Sequence, residues 1–233
     1  INNCKFTLCE ARNGGAIYVQ YAGTKSIFVG TIKNTIFSYC SAKTDGGAAY
    51  IKITQPKLHS FSFEGCTFES NEAGDQGGAI YAPVRDQFTV EKCKFLDNYA
   101  QKEGSSIFLQ IGWNAKDDKG NTVTLNENTF TFTPTKDSSN VYAETTTSQN
   151  DYMNANLNIG GCTFSTKTQS NVQAFKHLLV VEQMKFESIT FTKCNCVRQE
   201  EKTFSIPSQH TIENVKFGCT SIDSCTSLPD IPA

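Results

Sequence analysis

The residues whose type and spacing come nearest to acid-base chemistry are two carboxylates, Asp45 and Glu103. They stand in a recurring column, Asn13, Asp45, Gln76 and Glu103, each just before a pair of small residues. An inverting glycosidase holds its acid and base about 6.5 to 9.5 Å apart. If the column stacks at ~4.8 Å per strand, Asp45 and Glu103 lie two steps or about 10 Å apart, slightly too far. Gln76 fills the place between them, which denies the adjacent carboxylates of a retaining enzyme. The column therefore reads as a solvated polar ladder, and no catalytic residue is assigned. His59, His177 and His210 share no repeat position, so neither a zinc site nor a His-assisted nucleophile is expected. Cys194-Asn195-Cys196 puts two thiols on one face of a strand, a faint metal hint outweighed by structural roles. Asp117-Asp118-Lys119-Gly120 reads as a hairpin turn rather than a calcium loop, and no glycine-rich loop opens a helix. The expectation is a chain with no cofactor and no metal.

Binding is the better prospect. The least regular stretches are Gly112 to Asn121, with the only tryptophan, and Pro134 to Asn156. Loops on a rigid scaffold carry recognition residues, so Trp113, Tyr142 and Tyr152 are the candidate aromatic platforms for a protein or glycan. Trp113 plugging its own loop is the equal alternative. Thr129, Thr131, Thr133 and Thr135 alternate with Phe130 and Phe132, as in ice-binding solenoids, but neighbouring repeats are not expected to continue the pattern. An exposed strand face is the reading.

These residues must be positioned by a repeat. CKFTLCEARNGGAIYV from Cys4 recurs as TIFSYCSAKTDGGAAYI, CTFESNEAGDQGGAIYA, CKFLDNYAQKEGSSIFL and NTFTFTPTKDSSNVYA, and three weaker copies follow. Each copy is anchored on one aromatic: Phe6, Phe37, Phe68, Phe95, Phe130, Phe164, Phe191 and Phe217, at intervals of 26 to 35 residues. Three residues after the Phe stand Cys9, Cys40, Asn71 and Asn98; two before it stand Cys4, Thr35, Cys66 and Cys93. Eight or nine residues after it comes the small pair, Gly14-Gly15, Gly46-Gly47 and Gly77-Gly78 in the first three copies. Period-two runs are everywhere and helix-length periodicity is nearly absent; Val172 to Met184 is read as strand. A unit of this length with two or three strands cannot bury its own apolar face, but stacked on neighbours it can. The expected fold is all-β, a right-handed parallel β-helix of about eight coils over residues 1–218, with 219–233 a tail or linker. The Phe column becomes the interior ladder. The glycine pairs mark a corner that needs positive φ or close backbone approach, and Asn after the Phe suits a left-handed bend.

The pairing of GGAI at Gly14 and Gly77 with FESN at Phe68 and FLDN at Phe95 resembles the repeats of the chlamydial polymorphic membrane proteins, and also repeats in surface proteins of parasitic protists. The resemblance implies a β-helical autotransporter passenger that acts in adhesion to host cells. It covers about half the chain. Cys9, Cys40 and Cys194 replace the Asn of FxxN, which looks closer to the Cys-rich protist variants, and nothing resembles the C-terminal membrane barrel.

Composition narrows the classes. Lys+Arg number 21 against 23 Asp+Glu, a net charge of -2, which lacks the basic excess of a nucleic-acid binder. The longest apolar run, Leu178 to Val181, is far short of a membrane span, so no direct insertion is expected. The even count of ten Cys is compatible with an oxidising compartment. Stacking places Cys9 beside Cys40 and Cys66 beside Cys93, yet in-register parallel strands hold Cβ atoms about 5 Å apart, wider than the ~3.8 Å of a disulfide. Reduced, stacked thiols are therefore expected; Cys219 and Cys225 are a further pair able to close a terminal loop. The 18 Asn include no Asn-x-Ser/Thr acceptor, which favours a bacterial surface or an intracellular site. The leading expectation is a non-enzymatic, extracellular or cell-surface adhesin-type module. It binds a protein or glycan on a host or neighbouring surface, with end-to-end assembly with further repeats a possible extension. The alternatives are an intracellular or cell-wall scaffold component and a carbohydrate-active β-helix enzyme.

Overall fold

The computed structural model describes the chain from Ile1 to Gly218, apart from residues 24–25, 54–58, 85, 112–120, 134–138, 146–154, 167–172, 179–182, 188–189, 193–194, 200–208 and 214–215. Side chains are described up to Ser165, except those of 121, 145 and 155–156; beyond Ser165 only backbone strands are. Every strand pairing is parallel, no helix occurs among the described residues, and consecutive repeats stack on one another as a β-solenoid.

Four walls enclose the core. The first wall holds the anchoring Phe residues and runs from Lys5–Thr7 through Ile36–Ser38, Thr67–Glu69, Lys94–Leu96 and Thr129–Phe132 to Thr163–Thr166, Thr190–Thr192 and Lys216–Gly218. The second is short: Glu10–Ala11, Ser41–Ala42, Glu72–Ala73 and Tyr99–Ala100. The third comprises Ile17–Tyr21, Ala49–Ile53, Ile80–Val84, Ile107–Ile111, Val141–Thr145, Gln173–Leu178 and Asn195–Gln199. The fourth comprises Val29–Lys33, Ser60–Glu64, Gln87–Glu91, Asn121–Asn126, Ala155–Gly160, Gln183–Glu187 and Gln209–Glu213. Among the described residues the second wall recurs in four successive repeats, so about four turns are complete there. The expectation of eight like coils is thereby corrected. The physical reason lies at the corner that feeds the third wall, where the positive-φ glycine appears as Gly14, Gly46, Gly77 and Gly104 and not afterwards among the described residues.

The interior is built on the Phe column. Phe6, Phe37, Phe68, Phe95, Phe130 and Phe164 stack with centroid steps of 5.2, 4.9, 4.9, 4.8 and 4.6 Å and nearly parallel planes. Phe191 and Phe217 continue the same backbone register. From Phe37 to Phe164 these rings are buried, and each contributes on the order of 1.5 to 3 kcal/mol. Phe63 from the fourth wall meets the ladder edge-on, 5.4 Å from Phe68. Aliphatic files such as Ile51, Ala82 and Leu109 close the third wall against it.

The two glycines of each pair differ in backbone conformation. The first glycine takes positive φ, 59° at Gly14, 68° at Gly46 and 67° at Gly77. The second is needed for approach: a Cβ on Gly47 would lie 2.1 Å from the Gly78 carbonyl oxygen, and one on Gly78 2.1 Å from that of Ser105. Both expected reasons for glycine are thus present, and the first glycine meets both, since a Cβ on Gly14 or Gly46 would also lie 2.1 or 2.3 Å from the carbonyl oxygen of Ile17 or Ala49. At the other two corners the left-handed residue is not the Asn or Cys of the repeat but its predecessor. Leu8, Tyr39, Ser70 and Asp97 precede one column, and Asn3, Asn34, Gly65, Lys92 and Glu127 the other. The expectation that Asn71 and Asn98 make the bend is corrected: they seal it.

Candidate functional site

At the corner after the anchoring Phe, the side-chain carbonyl of Asn71 accepts the backbone amide of Cys40 at 3.0 Å, and its NH2 donates to the carbonyl of Phe37 at 3.1 Å. Asn98 repeats this one coil later, accepting from the amide of Asn71 and donating to the carbonyl of Phe68 at 3.0 Å. The corner before the Phe works the same way. Thr35 Oγ1 accepts the Cys4 amide, Cys93 Sγ that of Cys66, and Asn128 Oδ1 that of Cys93. Hydroxyl, thiol and carboxamide interchange here because each both accepts and donates. The thiols give their protons to carbonyls of the preceding coil, Cys66 to Ile32, Cys93 to Phe63 and Cys162 to Leu125.

Cys4, Cys9, Cys40, Cys66, Cys93 and Cys162 are free thiols, Cys9 beside Cys40 and Cys66 beside Cys93. Burial pushes the Cys40 and Cys162 thiols up to about 11, and the hydrogen bond with Cys66, then burial, pushes Cys93 up as well. Such groups stay protonated at neutral pH and are poor nucleophiles. Cys196 lies in the strand Asn195–Gln199 of the third wall. Cys194, Cys219, Cys225 and the 219–233 tail lie outside the described residues.

The polar corner column is engaged within the fold. Glu103 Oε2 accepts the amide and hydroxyl of Ser139 at 3.2 and 3.0 Å, and Asn13 Oδ1 accepts the Thr44 hydroxyl. The carboxylate that bears on Asp45 is Asp75 on the next coil, not Glu103. Burial foremost, then Asp75, raises the Asp45 carboxyl, while Asp75 itself is paired with Lys102 at 2.7 Å. No group of three or more His, Cys, Asp or Glu side chains able to hold a metal forms among the described residues. His59 is buried at the corner between the third and fourth walls. Its Nδ1 accepts the Phe28 amide at 2.9 Å, its own amide donates to Asp86 at 3.0 Å, and Tyr21 packs edge-on against its ring. His177 lies in the third wall and His210 in the fourth.

Of the expected binding residues, Trp113 and Tyr152 lie outside the described residues, as does the 117–120 turn. Tyr142 is placed otherwise than expected. It sits in the strand Val141–Thr145, is 5% exposed, and stacks on Phe108 at 5.0 Å. It ends an outward-facing aromatic file, Tyr18, Tyr50, Tyr81, Phe108 and Tyr142, with steps of 5.0 to 5.2 Å. Sequence reasoning missed this file, although an aromatic stands four residues after the first glycine in each early repeat. The ring faces cover one another, and exposure falls along the file from Tyr18 at 50% to the buried Phe108 and Tyr142; burial raises the Tyr50 and Tyr81 phenols.

Two further faces are rich in hydroxyls. On the first wall, Thr129, Thr163 and Thr190 stand in register, as do Thr131, Ser165 and Thr192, so neighbouring repeats do continue the threonine pattern that was expected to stop. Thr131 and Ser165 hydroxyls bond each other at 3.1 Å; Thr135 lies outside the described residues. On the fourth wall the central outward file reads Thr31, Ser62, Thr89, Thr124 and Asn158. Beside it stand Ser60, Gln87 and Thr122, and at the margin Glu64 and Glu91, the former paired with Lys33 at 2.6 Å.

With this geometry in hand, comparison with known proteins gives one likeness: residues 65–83 match the Chlamydia polymorphic membrane protein repeat. The stretch includes FESN and GGAI, hence the buried Asn71 and the Gly77-Gly78 corner. No curated protein and no solved structure matches the chain.

Proposed function

We propose that this chain is a non-enzymatic, surface-displayed module of adhesin type, a right-handed β-helix whose outer walls bind a protein or glycan on a host or neighbouring surface. The observation that carries the reading is the sealing of both corners beside the Phe ladder by buried side chains, Asn71, Asn98, Cys93 and Asn128, that bond only within the fold. Chemistry-bearing groups are spent on architecture, and the outward files are left for display. The likeness to a polymorphic membrane protein repeat supports a surface location.

The test is adhesion of the purified chain to cells and to glycan- or protein-coated surfaces, with and without a chelator, beside incubation with a polysaccharide panel. Binding that survives chelation without release of sugars is the expected result. Depolymerisation would overturn the reading in favour of the enzyme alternative, for which the raised Asp45 carboxyl is the group to replace.

A further inference from the structure

We propose that the fourth wall is a docking track for an uncharged, extended polysaccharide, a β-1,4-linked glycan lying along the solenoid axis over Thr31, Ser62, Thr89, Thr124 and Asn158. The proposal rests on the display reading above and names the partner class and the face.

Four properties of this wall select that occupant. The five positions are in register on successive strands, so at ~4.8 Å per strand they span four steps, about 19 Å. An extended β-1,4 glycan advances by a similar distance per sugar, so each sugar meets the same kind of group as the last. Every position offers a hydroxyl or carboxamide, which both donates and accepts, as sugar hydroxyls require. The second file, Ser60, Gln87 and Thr122, has the same chemistry. All five side chains of the central file are half-buried, standing in packed rows, so little rotamer freedom is lost when a ligand binds.

Charge decides which polysaccharide. Neither file carries a charge from Ser60 to Asn158, and the carboxylates at the margin are already paired, Glu64 with Lys33 at 2.6 Å and Glu91 with Lys92 at 3.2 Å. A uronate or sulfated chain would find no cation on either file, whereas a neutral one needs none. The other walls are less suited. The first is broken by Lys5, Glu69 and Lys94 in its outward files, and the aromatic rings of the third cover one another's faces.

The test is retention of the full chain on microcrystalline cellulose, on chitin and on polygalacturonate, read as the fraction removed from solution. The expected result is retention on at least one neutral polymer and not on polygalacturonate. Thr89→Arg with Thr124→Arg should lower it at least tenfold without changing the denaturation midpoint, while Thr131→Arg on the first wall leaves it unchanged. If the double arginine variant does not fold, Thr89→Ala with Thr124→Ala removes the hydroxyls without bulk and should still weaken retention severalfold. Retention on polygalacturonate alone, no retention on either neutral polymer, or retention indifferent to the fourth-wall substitutions overturns the proposal. A chain that ignores both neutral polymers yet still coats cells loses this track and keeps the display reading; one that releases soluble sugars loses the display reading itself.

Discussion

Asn71 and Asn98 hold each other across one coil: both the backbone amide and the side-chain amide of Asn71 donate to Oδ1 of Asn98, at 3.0 and 2.9 Å. Both are buried, and each also closes the gap to the coil before it. The bend at this corner is a chain of such bonds, and the residue in the left-handed region, Ser70 or Asp97, only turns the backbone toward it.

Replacing Asn71 by Ala leaves the Cys40 amide and the Phe37 carbonyl without their side-chain partner, at about 1 to 3 kcal/mol for each buried group. Asn71→Cys should cost less, because the repeat already uses cysteine at this column in Cys40. Urea denaturation of the two variants, compared with Asn71→Ser, measures the ordering.

Phe68→Ala opens a cavity between Phe37 and Phe95 and should cost about 3 to 5 kcal/mol. Phe6→Ala should cost clearly less, since its ring is only half-buried. Denaturation midpoints, with amide exchange to locate the loss, check both. Equal effects would place the two rings in similar surroundings, contrary to the stack.

The glycines differ in what an added methyl meets. On Gly47 it meets backbone, the Gly78 and Glu72 carbonyl oxygens at 2.1 and 2.6 Å, so Gly47→Ala must pry two coils apart. On Gly65 the nearest atom within 3 Å is the end of the Asn34 side chain, which can swing away, leaving only the strain of φ 63°. Gly65→Ala should cost about 1 to 2 kcal/mol, and Gly47→Ala several times that or the fold, as read by thermal unfolding.

The raised thiols tie stability to alkaline pH. An unfolded cysteine ionises near 9, whereas Cys40 and Cys162 hold their protons to about 11 in the fold. Between those values the folded state binds more protons than the unfolded one, so stability is full below pH 9 and falls as pH rises toward 11. Denaturation midpoints at pH 8 and pH 10.5 should show the decline, and Cys162→Ser should lessen it. Peptide-level alkylation at pH 8 should mark Cys4 and Cys9 and spare Cys66, Cys93 and Cys162, which are buried.

Much of this architecture could be read from residue order. The Phe column, its two flanking columns and the glycine pair each predicted a ladder, because a side chain repeated at one phase of a stacked coil must meet its own copies. The outward aromatic file was equally periodic but went unread: Tyr18, Tyr50 and Tyr81 sit in runs of apolar residues where alternation alone does not tell inside from outside. Composition places Tyr142 in a loop for a related reason, since Pro134 to Asn156 is irregular in composition while Val141–Thr145 pairs with Ile107–Ile111. The sequence predicts more turns than the described residues complete because the anchoring Phe persists beyond the last described glycine corner and second-wall strand. The Asp45 and Glu103 column was aligned correctly, yet Asp45 feels the like charge of Asp75 and Glu103 bonds to Ser139, residues whose approach depends on loop geometry that spacing does not encode.

The interchange of Thr, Cys and Asn at the sealed corners separates two kinds of inheritance. Positions turned inward answer to their own copies above and below, and tolerate only substitutes with the same donor and acceptor habits. Positions turned outward meet their copies only at the surface, as Tyr18 stacks on Tyr50 and Thr131 shares a hydroxyl bond with Ser165, so the displayed text can be rewritten letter by letter while the spine that carries it stays in print.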